Sequence, residues 1–240
     1  MKTIAIFERI CGFMVMLLFI SPACKENEDP VPTNDYPKSI RQVLSDQVFL
    51  NKLAGAGLTI TEDNPGYRNY FMLKGVYRLQ HTCVSDNRTP KNLNSTYADY
   101  RLDLALAPAG NSVSYMTDDN LDRSTKIDSI TVHVDSKLNF TVFFRAAGIS
   151  NNISYEALWI ISGKSPQLQP NSPLPLESMY DCYVILSKGP DPDNKVADVG
   201  TVRIFKDPAG STQAIAASIS KPLISEAGLR LSRPKLLTGH

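Results

Sequence analysis

The groups in this 240-residue chain that could do nucleophilic, metal or acid–base chemistry are three histidines, four cysteines and 24 aspartates and glutamates. Nucleophilic hydrolysis needs a base within hydrogen-bond reach of a serine, and a third group to orient that base. His133 comes nearest to the pattern. In the alternating run 128–135 (DSITVHVD), however, it shares a strand face with Thr131 and Asp135, so the spacing predicts an exposed strand histidine. His81 stands alone and His240 is terminal. The chain has no G-x-S-x-G elbow, P-loop or H-E-x-x-H pair. Asp103, Glu156 and Asp181 are single carboxylates on separate segments, and a glycosidase pair is a matter of their separation in space. Zinc needs four ligands, which Cys83 and Cys182 cannot supply without a C-x-x-C or H-x-x-x-H partner. Two acidic stretches, 117–122 (TDDNLD) and 191–194 (DPDN), are rich in oxygen ligands but lack the glycine and closing glutamate of a calcium loop. They read as Asx turns. The chemistry-bearing residues thus predict a non-enzymatic protein with no metal and no cofactor. Among the aromatics, Trp159 lies inside the apolar run 157–161 (ALWII) and reads as core. Tyr67, Tyr70 and Phe71 form an aromatic loop that is the candidate contact for a ligand or partner. The alternative for this loop is packing onto a barrel mouth or sheet edge.

A different chemistry is written at the N-terminus. Lys2 and Arg9 precede eleven uninterrupted apolar residues, 10–20, and the run closes on Ser21-Pro22-Ala23 before Cys24. As a helix that run spans roughly 16 Å, about half of a bilayer core, so it reads as an export signal over 1–23 rather than a span. A cysteine at the first mature position resembles the lipobox of bacterial lipoproteins, in which the thiol takes a diacylglyceryl group. Ser21 stands where leucine is commonest. Lipidation at Cys24 implies stable attachment to a membrane, because two or three acyl chains hold where one does not. Lys25-Glu26-Asn27-Glu28-Asp29 resembles the acidic surface-export signal of Bacteroidota-type lipoproteins, and Pro30 and Pro32 extend the tether over 24–36.

Removing Lys2, Arg9 and Glu8 with the signal leaves 23 basic and 23 acidic side chains. So neutral a chain lacks the field that phosphate backbones require, and nucleic-acid binding is not expected.

Ile40, Val43, Leu44, Val48, Leu50 and Leu53 recur at helical spacing, which predicts one short amphipathic helix over 38–54, stopped by Gly55 and Gly57. From Gly75 the period switches to two. Alternating segments at 76–84, 100–106, 128–135, 140–146, 154–162, 179–187 and 199–206, with weaker ones at 112–117 and 212–218, predict a mainly β fold. Its form is an antiparallel β-barrel or β-sandwich of about eight strands in a single domain over 37–220, followed by a tail over 221–240. Residues 136–139 are expected to turn a hairpin, with Ile130, Val132 and Val134 buried. Strand parity groups Cys83 with Tyr77 and Leu79, and Cys182 with Tyr180, Val184 and Leu186, so both sulfurs are expected to point inward. The two are a candidate disulfide in an oxidising compartment, or two buried thiols.

The segments AGLTI (56–60), GVY (75–77), LNFTVFF (138–144), WIISGK (159–164) and RIFKD (203–207) resemble a group of Bacteroidota-type surface lipoproteins to which no activity is attached. The resemblance covers most of 38–217 and implies a lipocalin-like barrel, or a similar β fold, on an acylated tether. It brings no functional residues, and 67–74 departs from its pattern. The expectation is a lipid-anchored protein of the outer membrane, exposed at the cell surface, whose β domain binds a small molecule or glycan. The alternatives are an interaction subunit that docks on another envelope protein and, ranked after it, a hydrolase.

Overall fold

A computed structural model describes residues 40–215, apart from 42, 43 and 171. The signal at 1–23, Cys24, the tether and the tail at 221–240 lie outside the described residues.

Eight strands follow one another: β1 (Leu73–Asp86), β2 (Thr96–Ala107), β3 (Gly110–Thr117), β4 (Asp122–Val134), β5 (Asn139–Ser150), β6 (Ile153–Lys164), β7 (Leu176–Lys188) and β8 (Val202–Lys206). Each is antiparallel to the one before, and β8 also pairs with β1, Cys83 lying opposite Phe205. The sheet therefore closes on itself as an up-and-down barrel, which removes long open edges. Alternation in the sequence led to this mainly β, antiparallel architecture. Segment 112–117 belongs to a full strand, β3, while 212–218 contributes only β9 (Ser211–Thr212) and β10 (Ala214–Ile215), which pair with β7 and β1. The hairpin at 136–139 forms, with Leu138 at φ 64°. Val132 and Val134 are buried in the barrel interior, with Ile130 packed against them.

Two apolar clusters hold the fold. The interior one runs from Leu73, Tyr77 and Leu79 of β1 around to Trp159 and Ile161 of β6. The outer one lies on the other face of β5 to β8, where Phe143, Leu158, Ile160, Cys182 and Ile204 meet Ile40, Leu53 and Leu58 from the N-terminal segment. Burial on both faces explains why Ala157–Ile161 is apolar at every position instead of alternating.

That N-terminal segment is not one helix over 38–54. Helix α1 spans Gln47–Gly55, and Asp46 caps it by accepting from the amides of Val48 and Phe49. The cap resets the helical phase, and Val48, expected on the apolar face, is 80 % exposed. At the C-terminus Gly57, at φ 93°, donates to Ala54 O, and Leu58 donates to Leu53 O; these are the paired bonds of a Schellman cap. Leu58 is thereby turned onto the barrel wall. Residues 58–64 continue across β4 and β5, with Thr61 N donating to Thr141 Oγ1 and Asn64 N to Val134 O. Helix α2 (Pro65–Arg68) then leads over one end of the barrel, where Phe71 packs on Phe140 with ring centroids 5.9 Å apart. Among the described residues no helix is long and apolar enough to cross a membrane.

Candidate functional site

At the end opposite Phe71, a cavity of about 290 Å³ enters the barrel among the β3–β4, β5–β6 and β7–β8 connections. Alternation places most of its lining, with Tyr100 of β2, Tyr155 and Trp159 of β6, Tyr183 and Ile185 of β7, and Arg203 and Phe205 of β8 facing inward. A register shift in the β1–β2 pairing, where His81 is opposite Tyr97 and Leu79 opposite Tyr100, brings Tyr97 to the same face. Trp159 is the back wall, with its ring 4.6 Å from that of Tyr115, 5.4 Å from Tyr183 and 5.8 Å from Tyr100, and stacked on Phe144 at 6.1 Å.

Asp122 is the carboxylate of the site. The turn before it is the Asx turn read from the sequence: Asp119 Oδ1 accepts from Thr117 Oγ1 at 2.6 Å and from Leu121 N at 3.0 Å, with Asn120 at φ 57°. That turn directs Asp122 into the barrel, where it accepts from Tyr155 Oη at 2.7 Å and from Tyr100 Oη at 2.9 Å. Because the one proton of Tyr155 is committed to Asp122, the 2.5 Å bond between Tyr115 and Tyr155 has Tyr115 as donor. Burial raises the Asp122 pKa from the ordinary carboxylate value, and the two tyrosine donors oppose that rise. The tyrosines themselves are pushed upward, chiefly by burial, and remain neutral donors.

The cationic groups on the wall are already paired. Arg203 Nε donates to Asp86 Oδ2 at 2.7 Å and Nη1 to Tyr183 Oη at 2.9 Å, with the guanidinium 5.8 Å from the centre of the Tyr97 ring. Lys195 at the rim pairs with Asp193 at 3.1 Å. His81 lies between the rings of Phe205 and Tyr100, and its Nε2 is 2.9 Å from Asp181 Oδ1 in a buried pair.

Gly148, opposite Tyr155 on β5, makes room for this arrangement, since a Cβ there would come within 2.6 Å of the tyrosine ring. Gly148→Val is therefore expected to expel the ring and separate Tyr155 from Asp122, at a cost of about 1–3 kcal/mol. Urea unfolding and near-UV circular dichroism check it; an unchanged aromatic spectrum would contradict it.

The candidate contacts chosen from the sequence lie elsewhere. Phe71 is 2 % exposed and fills the closed end, so packing is its role, while Tyr67 and Tyr70 remain at the surface of that end; none of the three lines the cavity. His133 is buried, not exposed: residues 58–64 cover the outer face, its Nδ1 is 2.9 Å from Thr61 O, and its ring meets Phe143 edge-on at 5.2 Å. Burial depresses its pKa.

Cys83 and Cys182 are buried free thiols, not a disulfide. Strand β8 runs between them, Phe205 lying opposite Cys83 and Ile204 opposite Cys182. Two strand spacings amount to roughly 9–10 Å, more than the ~7 Å that a disulfide bridges. Cys182 shares its face with Tyr180, Val184 and Leu186 as expected and is buried, but that face is the outer one under α1 and not the barrel interior. Burial raises both thiol pKa values, leaving them poor nucleophiles.

Trp159 is core, as read from its apolar run, and yet it walls the cavity. The signal that was missed is Asn151-Asn152, a two-residue turn with both residues at positive φ, 50° and 67°. It closes the β5–β6 hairpin at the cavity mouth, where Asn151 N donates to Leu121 O at 2.8 Å. Among the described residues no group of three His, Cys, Asp or Glu side chains is placed to hold a metal ion. No protein-family model, no curated protein and no solved structure matches this chain.

Proposed function

We propose that the protein is a lipid-anchored component of the outer membrane, exposed at the cell surface, whose barrel binds a small molecule or glycan without transforming it. The observation that carries the binding role is the cavity of about 290 Å³, walled by aromatic rings and holding a few convergent polar groups. Its titratable groups support retention rather than catalysis, because His81 faces Asp181 and not a serine hydroxyl. Anchoring rests on Cys24 and the apolar segment before it.

Trp159 is the single tryptophan of the chain and lies on the cavity wall, so its emission reports ligand entry. Titrating the full-length protein with a panel of sugars and small metabolites is expected to give a saturable change in emission together with a raised melting temperature. A panel that moves neither overturns the binding role. For the anchor, intact mass of the membrane fraction should show acyl chains on the wild type and none on Cys24→Ser. An unmodified wild type would remove the anchoring.

A second reading, docking on another envelope protein, draws on Tyr70 and Met72, which stand 62 % and 46 % exposed at the closed end.

A further inference from the structure

We propose that the ligand is a small organic cation, an amine or quaternary ammonium, whose charge is held beside Asp122 among the aromatic rings of the cavity. This rests on the binding role above and narrows it to one chemical class.

The charge inventory of the wall carries the inference. Arg203 meets Asp86 and Lys195 meets Asp193, so neither is free to receive an anionic ligand. Asp122 differs: the donors that reach it are the neutral hydroxyls of Tyr155 and Tyr100, and among the described residues no ion pair neutralises it, the nearby His81 being paired with Asp181 instead. A carboxylate offers about four lone-pair positions, and the two hydroxyls occupy two. The remaining lone pairs can accept a charge-assisted N–H from a ligand, or simply face a quaternary nitrogen. Burial makes the unpaired charge costly, and a cation delivered by the ligand relieves that cost. Asp119 at the rim adds a second negative charge on the path inward.

The surrounding walls suit the same ligand. Tyr97, Tyr100, Tyr155, Trp159 and Tyr183 bring five electron-rich rings to one small space, and the face of such a ring attracts an ammonium group, tryptophan most strongly. A volume of about 290 Å³ is at the lower end for ligand pockets, which favours a compact amine over an oligosaccharide. A neutral sugar could stack on Trp159, but it would leave the Asp122 charge uncompensated.

The test is a series of probes matched in shape and differing in charge: phenethylamine, 2-phenylethanol and phenylacetate, with benzyltrimethylammonium and two monosaccharides beside them. Each is titrated into the full-length protein and followed by Trp159 emission and calorimetry. The two cations are expected to bind on the order of tenfold or more tightly than the alcohol, with the carboxylate weakest. Asp122→Asn is expected to lower cation affinity on the order of tenfold, a clearly larger loss than it causes for the alcohol. If the alcohol, the carboxylate or a sugar binds as tightly as the amines, the cation assignment is wrong and the binding role stands. If no probe binds, both fall. The wild-type series decides the matter even if Asp122→Asn does not fold.

Discussion

Asp86→Ala is expected to destabilise the barrel by about 3–5 kcal/mol, the cost of leaving the other half of a buried ion pair without its partner. The Asp86 side chain is 0 % exposed and accepts from Arg203 Nε at 2.7 Å, from the backbone amides of Arg88 and Thr89, and from Asn92 Nδ2. One carboxylate thus holds the β1–β2 connection and neutralises the guanidinium on the cavity wall. Burial alone would push its pKa up; the hydrogen bonds from Asn92, Arg88, Arg203 and Thr89 outweigh burial and hold the pKa at about 2. The folded value lies below that of the unfolded chain, so the group stabilises the fold above about pH 4 and ceases to do so as the pH falls toward 2. A shift of that size corresponds to about 2 kcal/mol. Deletion costs more than protonation because it also removes the acceptor that spans the turn. Urea midpoints at pH 7 and pH 3 check both statements: the wild type should lose stability over that interval, and Asp86→Asn should lose about 1 kcal/mol less, since pH 3 still lies above the folded pKa. Parallel losses in the two proteins would show that Asp86 is not the group responsible.

Trp159→Ala is expected to cost a similar amount, about 3–5 kcal/mol, for a different reason. The indole is buried at the meeting point of Tyr100, Tyr115, Phe144 and Tyr183, and each of these rings loses contact when it goes. The tyrosines among them cannot collapse freely into the gap, since Tyr100 and Tyr115 are tied into the Asp122 network and Tyr183 to Arg203. Unfolding has to be followed by far-UV circular dichroism, because the variant has lost the chain's single tryptophan. A loss under about 1 kcal/mol would mean that the neighbouring side chains repack into the space. Trp159→Phe, which keeps an aromatic face, should cost clearly less.

Strand periodicity was the strongest signal in the sequence, and it gave way where a second surface intervenes. Tyr100, Leu102, Leu104 and Leu106 alternate cleanly and bury one face. His133 did not follow, because the surface it points to is the one covered by residues 58–64, and a covering segment leaves no mark on the strand it covers. The helix was visible but its beginning was not: Asp46 reads as one more polar residue until its side chain is seen to cap two amides. The site was the least legible part. Asp122 reads as the last acid of a polar turn, and its partners Tyr100 and Tyr155 come from β2 and β6, which no local pattern brings together. The aromatic loop at Tyr67, Tyr70 and Phe71 drew attention by composition, but Phe71 serves packing at the far end. The cysteine pair failed for a countable reason, an intervening strand, once the pairing order was known.

The seam between β8 and β1 has a kinetic consequence. The ring is completed by a strand of five residues late in the chain, set against a first strand of 14. Contacts such as Cys83 with Phe205 join distant stretches of sequence, and loop-closure entropy makes such contacts slow to form. During synthesis the first strand must wait, its edge unsatisfied, until nearly the whole β domain has emerged. A chain truncated before Val202 would keep that edge open and be prone to aggregate.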